Sequence, residues 1–439
     1  MRYSVLLPGI FALLIISCKP AHKPVASGMD GIAEKYVKLV LEIGLYDKYY
    51  IDAYHGPDEW KPEEISEDKA KNFPSEELRQ KAEELLTKLN AIRPAELDEM
   101  EKYRHSFLYA HVAAALGNIE RLAGVKMTFE DESKIFYGAT APKADVEFLR
   151  SEIKEMLTSL PGQGTAAERL ESLRSPFIIP SEKLDTIMQV AVEECRRRTA
   201  LYIDLPEHES IEIELVSNQP WGAYNWYKGN AHSLIQLNTD RPSTMDYMVN
   251  YLSHEVYPGH HLHLSLMDLD FAQERGWVEF TVSPLYAPLS FIAEGIAEVG
   301  GSIIFTEAER TQFEKEVLFP IAGLDTNGYS YYKAIQKQLS KSTTYLRLEI
   351  SRAYFDGKLT REQATEQLMN DLSYTNQRAN QALDFVDAYG SYIINYSTGE
   401  DLLHQYINRK VQGTYTPQKA WEVFEQILRT PVIASDLQE

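Results

Sequence analysis

Residues 251–263 read YLSHEVYPGHHLH, and the fold turns on how that stretch is read. It begins as the metal-binding signature HExxH, with His254 and Glu255, but Pro258 stands where the second histidine belongs. In an uninterrupted HExxH, two histidines lie one turn apart on one helix face and the glutamate beside the first reaches the attacking water. On a straight helix, residues six apart differ by about 120° around the axis, while residues seven apart nearly eclipse at about 10 Å separation. That geometry favours His261 over His260. Pro258, however, lacks an N–H and clashes with the carbonyl four residues back, so the helix is not straight here. A bulge at Pro258-Gly259 that takes up two extra residues would return His260 to the second ligand position, and such bulges occur at functional sites. On the residues alone, both histidines remain open.

HEVYPGHHLH (254–263) resembles the HExxPGHH signature of the bacterial proteins grouped as domain of unknown function 885, regarded as candidate zinc metallopeptidases. More distantly, GHHLH (259–263) resembles the G-H-x-L-H ending of the thimet-oligopeptidase-like signature, and that register aligns His260 with the second zinc ligand. A third ligand in helical zincins is a glutamate from a later helix. FIAEGIAEVGGSIIF (291–305) supplies Glu294 in a segment similar to the family's E-G-W, with Ile296 where the family has tryptophan. Glu298 lies one turn later on the same face, within reach of a supporting role. The resemblance therefore implies zinc held by His254, His260 and Glu294, with Glu255 as general base.

Hydrolysis also needs a donor to the developing oxyanion, and tyrosine commonly serves. VDAYGSYIINYSTGEDLLHQYI (386–407) resembles the family's C-terminal segment, with Tyr396 and Gly399 matching its Y-x-x-G while the G-Q-A piece is absent. NGYSYYKAI (327–335) resembles the G-Y-rich segment of thimet-oligopeptidase-like enzymes and offers Tyr329, Tyr331 and Tyr332. Tyr396 is the first choice and Tyr331 the second, although in a chain with 27 tyrosines most serve packing. FEQILRTPVIASDL (424–437) resembles the family's closing segment. His263 and His232 are read as structural, and His105 and His111 have no partner visible in sequence.

Composition bounds the rest. The 439 residues are 44% hydrophobic and 25% charged, the balance of a globular protein. A formal net charge of −21 excludes nucleic acid as a partner, since phosphate binding needs a basic face. MRYSVLLPGIFALLIISC (1–18) carries an early Arg2 and a short apolar run ending in Ser17 and Cys18. The run is too short for a membrane span and fits a secretory signal, and IISC resembles the bacterial lipobox, which implies cleavage before a lipidated Cys18. With Cys18 acylated, Cys195 has no disulfide partner and reads as a packed thiol.

Along the chain, KPAHKPVASG (19–28) is a polar, proline-rich tether, and Ile32, Tyr36, Val40 and Ile43 begin a helical pattern that continues to about Gly124. Breaks fall at GATAPKAD (138–145) and LPGQGTAAE (160–168). IEIELV (211–216) and SLIQLN (233–238) read as strands joined by an aromatic, turn-rich link, and such an edge could take an extended substrate backbone. Helices dominate from Met245 onward.

The reading is a mainly α, zincin-like fold with a small β-sheet beside the histidine helix. It divides into a signal peptide (1–17), a tether (18–28), an N-terminal helical region (29–205) and a catalytic region (206–439). The expected protein is a zinc peptidase of the bacterial cell envelope, acting on peptide substrates and anchored by lipid on Cys18, with no transmembrane helix in the mature chain. The alternatives are a non-catalytic lipoprotein that binds peptide or glycan and retains zinc, and a zinc amidase acting on a non-peptide amide. Glu255 discriminates the first alternative, because a purely structural zinc site needs no base beside its first ligand.

Overall fold

The computed structural model describes residues 28–66, 70–219, 221–240, 242–411, 413 and 416–438, so the expected signal segment, Cys18 and the tether as far as residue 27 lie outside the described residues. Helices begin where local chemistry starts them. Asp98 accepts from the Glu101 N–H, and the Glu101 side chain returns the bond, opening helix Glu99–Leu122. Thr306 and Thr360 open Glu307–Phe313 and Arg361–Leu372 in the same reciprocal way. Helix Asp30–Gly44 buries Ile32, Tyr36, Val40 and Ile43, the positions its periodicity marked. Each such side chain fully removed from water contributes about 1.5–3 kcal/mol. The glycine and proline breaks at 138–145 and 160–165 separate helices Phe129–Tyr137, Val146–Ser159 and Ala166–Arg174.

The described residues are mainly helical, with two small sheets among them. Strand β1 (Ile51–Tyr54) interrupts the N-terminal helices and pairs antiparallel with β5 (Val282–Pro284), a pairing that sequence reasoning missed. In the second sheet, β4 (His232–Asn238) lies between β2 (Ser210–Val216), parallel to it, and β3 (Ala223–Gly229), antiparallel to it. The two expected strands are present. The link expected between them is itself largely a strand: Asn225 and Tyr227 face inward and are buried, while Tyr224 and Trp226 pack together on the other face.

A long apolar core runs from Met29 to Leu437 and includes Leu252, Tyr257, Phe291, Ile296 and Leu403. At its centre is Pro288–Ile304, the glutamate helix, whose sequence is buried on nearly every side. It packs against Met245–Glu255, the first histidine helix, and against Ile394–Val411, the tyrosine helix. A second apolar cluster joins Val146–Ser159 to the C-terminal helices through Leu149, Ile153, Leu346 and Leu368. Among the described residues, no single helix is long and apolar enough to cross a membrane.

Candidate metal centre

His254 and Glu255 close the first histidine helix, after which Val256 leaves helical geometry at φ −120° and ψ −83°. A second histidine helix, His260–Met267, begins past a cis Tyr257–Pro258 peptide. The sequence suggested a bulge within one helix; the structure has a full break instead. Pro258 has no N–H to continue the ladder, and a Cβ on Gly259 would lie 1.8 Å from the His254 carbonyl oxygen, so only glycine fits that approach. The break still takes up two residues: Leu262 N–H donates to Val256 O at 3.3 Å, six positions back instead of four.

That displacement brings His260 to His254, with ring centroids 4.8 Å apart and planes at 86°. Glu294 meets both from the glutamate helix. Its Oε2 lies 3.3 Å from His254 Nε2 and 3.7 Å from His260 Nε2. Its Oε1 accepts a 2.8 Å hydrogen bond from the Tyr392 hydroxyl, whereas the buried Oε2 has no hydrogen-bond partner. A buried carboxylate oxygen is rarely left so. Two donors each about 2.0–2.1 Å from a tetrahedral zinc ion stand roughly 3.3–3.4 Å apart, close to the separations found. His254, His260 and Glu294 could thus hold a metal ion, and two imidazoles with one carboxylate suit zinc.

The electrostatics favour a cation there. Burial opposes charge on His254, but Glu294, Glu298 and Glu255 outweigh it and lift the imidazole to about 10. Burial likewise pushes Glu294 up, yet the two imidazoles beside it hold it well below the usual carboxylate range. Glu255, 6% exposed, is raised by burial, with His254 and His260 offsetting part of the rise. Its carbonyl accepts a 2.7 Å bond from Asn225 Nδ2, which ties the end of the first histidine helix to β3. Glu298 approaches His254 Nδ1 at 3.5 Å, and burial lifts its carboxyl to about 7.

His261, the rival ligand, turns away. It is 1% exposed, with Nδ1 2.9 Å from Ser233 Oγ and Nε2 3.2 Å from Glu209 Oε2. Tyr396 packs on Tyr392 at 5.9 Å, and burial followed by Glu294, Glu298 and Glu255 raises its phenol far above the ordinary value, so it stays protonated. Tyr331 is 45% exposed, while Tyr329 donates to Glu314 and packs with Tyr332 around Phe177, so that cluster has other partners. His263 is buried with Nδ1 unpartnered, and His232 meets Ser210. His105 bonds the Leu89 carbonyl, and His111 bonds the Phe107 carbonyl. Cys195 is buried, which pushes its thiol up to about 12.

Sequence reasoning missed Tyr392, Asn225, Glu209 and Asp52. Asp52, on β1, accepts from the Tyr224 hydroxyl and is raised to about 6, chiefly by burial, with His260, Glu294 and Glu255 also acting on it. Tyr392 stands four residues before Tyr396, a spacing that could have flagged it. Asp52 had no comparable signal.

No family model and no curated protein matches the chain, so its likeness to domain of unknown function 885 is one of motif. Among solved structures, the chain is similar to a candidate lipoprotein from Colwellia psychrerythraea, at 14% identity and TM-score 0.48, covering 86% of this chain and 70% of that one. It is similar to a candidate lipoprotein of unknown function from Shewanella oneidensis, at 11% identity and TM-score 0.48, covering 83% and 72%. It is also similar to an M32 carboxypeptidase from Deinococcus radiodurans R1, at 12% identity and TM-score 0.38, covering 91% and 87%. Likenesses at this level carry nothing about activity, which has to be read from the side chains.

Proposed function

We propose that the protein is a zinc-dependent peptidase of the bacterial cell envelope, tethered through a lipidated Cys18, with His254, His260 and Glu294 as metal ligands. The observation that carries this reading is the buried Glu294 Oε2, which makes no hydrogen bond and lies within 3.7 Å of both imidazoles. When bound, zinc supplies Lewis acidity that polarises a carbonyl and acidifies water. Glu255, next to His254 in the chain and raised by burial, takes the proton from the attacking water and passes it to the leaving amine. Tyr396, held protonated, donates to the carbonyl oxygen as charge develops there. Tyr392 fixes the orientation of Glu294 through Oε1 and leaves Oε2 for the metal.

Metal analysis of the purified protein, followed by a quenched-fluorescence peptide library with and without chelator, tests the proposal. The expected result is one equivalent of zinc and chelator-sensitive cleavage, with Glu255→Gln retaining zinc but losing on the order of 10²–10⁴ in rate. Full zinc without cleavage of any peptide, unchanged in Glu255→Gln, would reject the peptidase reading in favour of a binding lipoprotein.

A further inference from the structure

We infer that Glu209 and His261 form a positioning pair that sets the rotation of the second histidine helix and so aims His260 at Glu294. The inference rests on the proposed metal site. The break at Val256–Gly259 is what makes such a device necessary. A continuous helix would fix the angle between its two histidines by its own geometry, about 100° per residue. Here the second helix starts afresh at His260, with no side-chain cap at Gly259, and runs on from Met267 into a π-helical turn at Asp268–Gln273. Its rotation about its axis must come from tertiary contacts.

Glu209 supplies them on both sides of His260. Its Oε2 accepts from the Tyr257 hydroxyl, three residues before the ligand, and from His261 Nε2 at 3.2 Å, one residue after it. Its Oε1 accepts from Arg196 Nε at 2.6 Å, which anchors the carboxylate to helix Leu184–Thr199. A carboxylate only accepts, so His261 donates from Nε2, and its Nδ1 pairs with the Ser233 hydroxyl on β4 at 2.9 Å. Both ring nitrogens of His261 are thereby engaged, in a side chain 1% exposed against a Glu209 side chain 4% exposed. This excludes His261 from contact with substrate. It also fixes the ring's side of the helix, and the neighbouring His260 lies about 100° round from it. Glu209 and His261 touch neither substrate nor metal and act through His260.

The test uses the full chain. Zinc affinity is measured by competition with a chromogenic chelator, and the visible spectrum of the cobalt(II)-substituted protein reports ligand geometry. Glu209→Ala should weaken zinc by about tenfold or more and alter the cobalt bands. Glu209→Gln, which keeps an acceptor oxygen in place, should lie between it and the wild type. Lys333→Met breaks the ion pair to Glu314, 2.8 Å long and buried on the glutamate side, elsewhere in the fold. It should leave affinity and spectrum unchanged, which separates positioning from general destabilisation. Should Glu209→Ala fail to fold, His261→Gln carries the same expectation. Wild-type affinity and an unchanged cobalt spectrum in folded Glu209→Ala or His261→Gln overturn the inference. A wild-type chain that binds no zinc overturns the metal reading itself.

Discussion

Gly295 and Gly399 meet backbone to backbone: a Cβ on Gly295 would lie 2.9 Å from both the carbonyl carbon and oxygen of Gly399. The crossing brings the glutamate helix against the tyrosine helix, one residue from Glu294 and one turn from Tyr396. Leu403 Cδ1 lies nearer still, at 2.7 Å, but even if that side chain moved the backbone of Gly399 could not, so a rotamer change does not accommodate the added methyl. Gly295→Ala should lower stability by about 1–3 kcal/mol, read as a fall in the urea midpoint. Gly301→Ala, in the same helix, is the control. Its Cβ would lie 3.2 Å from Ser253 Oγ and 3.6 Å from Asn250 Oδ1, both side-chain atoms. That contact is milder, and a helical glycine replaced by alanine gains up to about 1 kcal/mol in propensity, so its midpoint should fall far less or rise.

The glutamate helix takes part of its N-terminal capping from a histidine across the core. No side chain of its own caps it, and the Leu289 N–H donates to His111 Nε2 at 3.3 Å while His111 donates from Nδ1 to the Phe107 carbonyl at 2.8 Å. His111 is 2% exposed, and burial lowers its pKa from 6.5 to about 3. Between those values the unfolded chain binds a proton that the folded one does not. The stability present above about pH 6.5 is therefore lost as pH falls toward 3, at up to about 1.4 kcal/mol per pH unit. Denaturant unfolding from pH 7.5 to 4.5 should show this slope in the wild type. His111→Leu should be less stable at pH 7.5 and lose less on acidification, so a parallel pair of curves would refute the assignment.

What was legible in the sequence was what depends on near neighbours. The spacing of Ile32, Tyr36, Val40 and Ile43 declares a helix, and all four are buried. His254, His260 and Glu294 could be named because a motif encodes them, and they do converge. Helical arithmetic pointed to His261, yet the histidine beside His254 and Glu294 is His260, because rotation cannot be extrapolated through a break; His261 instead meets Glu209, far away in sequence. Asp52 reaches the histidine group on β1, whose partner β5 lies more than two hundred residues later, and no periodicity reports such a pairing. Strand β3 was hidden because Gly222 and Gly229 flank an aromatic run that otherwise reads as a turn.

If the proposed metal site is right, the hydrogen bond from Tyr392 to Glu294 should bear on how tightly zinc binds. With the hydroxyl in place, Oε1 is satisfied at 2.8 Å and Oε2 remains for a cation. Tyr392→Phe removes that donor and keeps the ring, leaving a buried carboxylate free to rotate. A hydrogen bond to a charged group contributes about 1.5–3 kcal/mol, and a lost outer partner costs about 10–100-fold in metal affinity. Zinc at 1,000 times its Kd stabilises a folded chain by about 4.1 kcal/mol. Chelator should therefore lower the wild-type Tm measurably. In Tyr392→Phe at the same zinc concentration the zinc-dependent gain should shrink, because affinity has fallen. In Glu294→Ala it should vanish. An equal zinc-dependent Tm shift in all three proteins would place the ion elsewhere, and would remove the explanation offered for the unpartnered oxygen of Glu294.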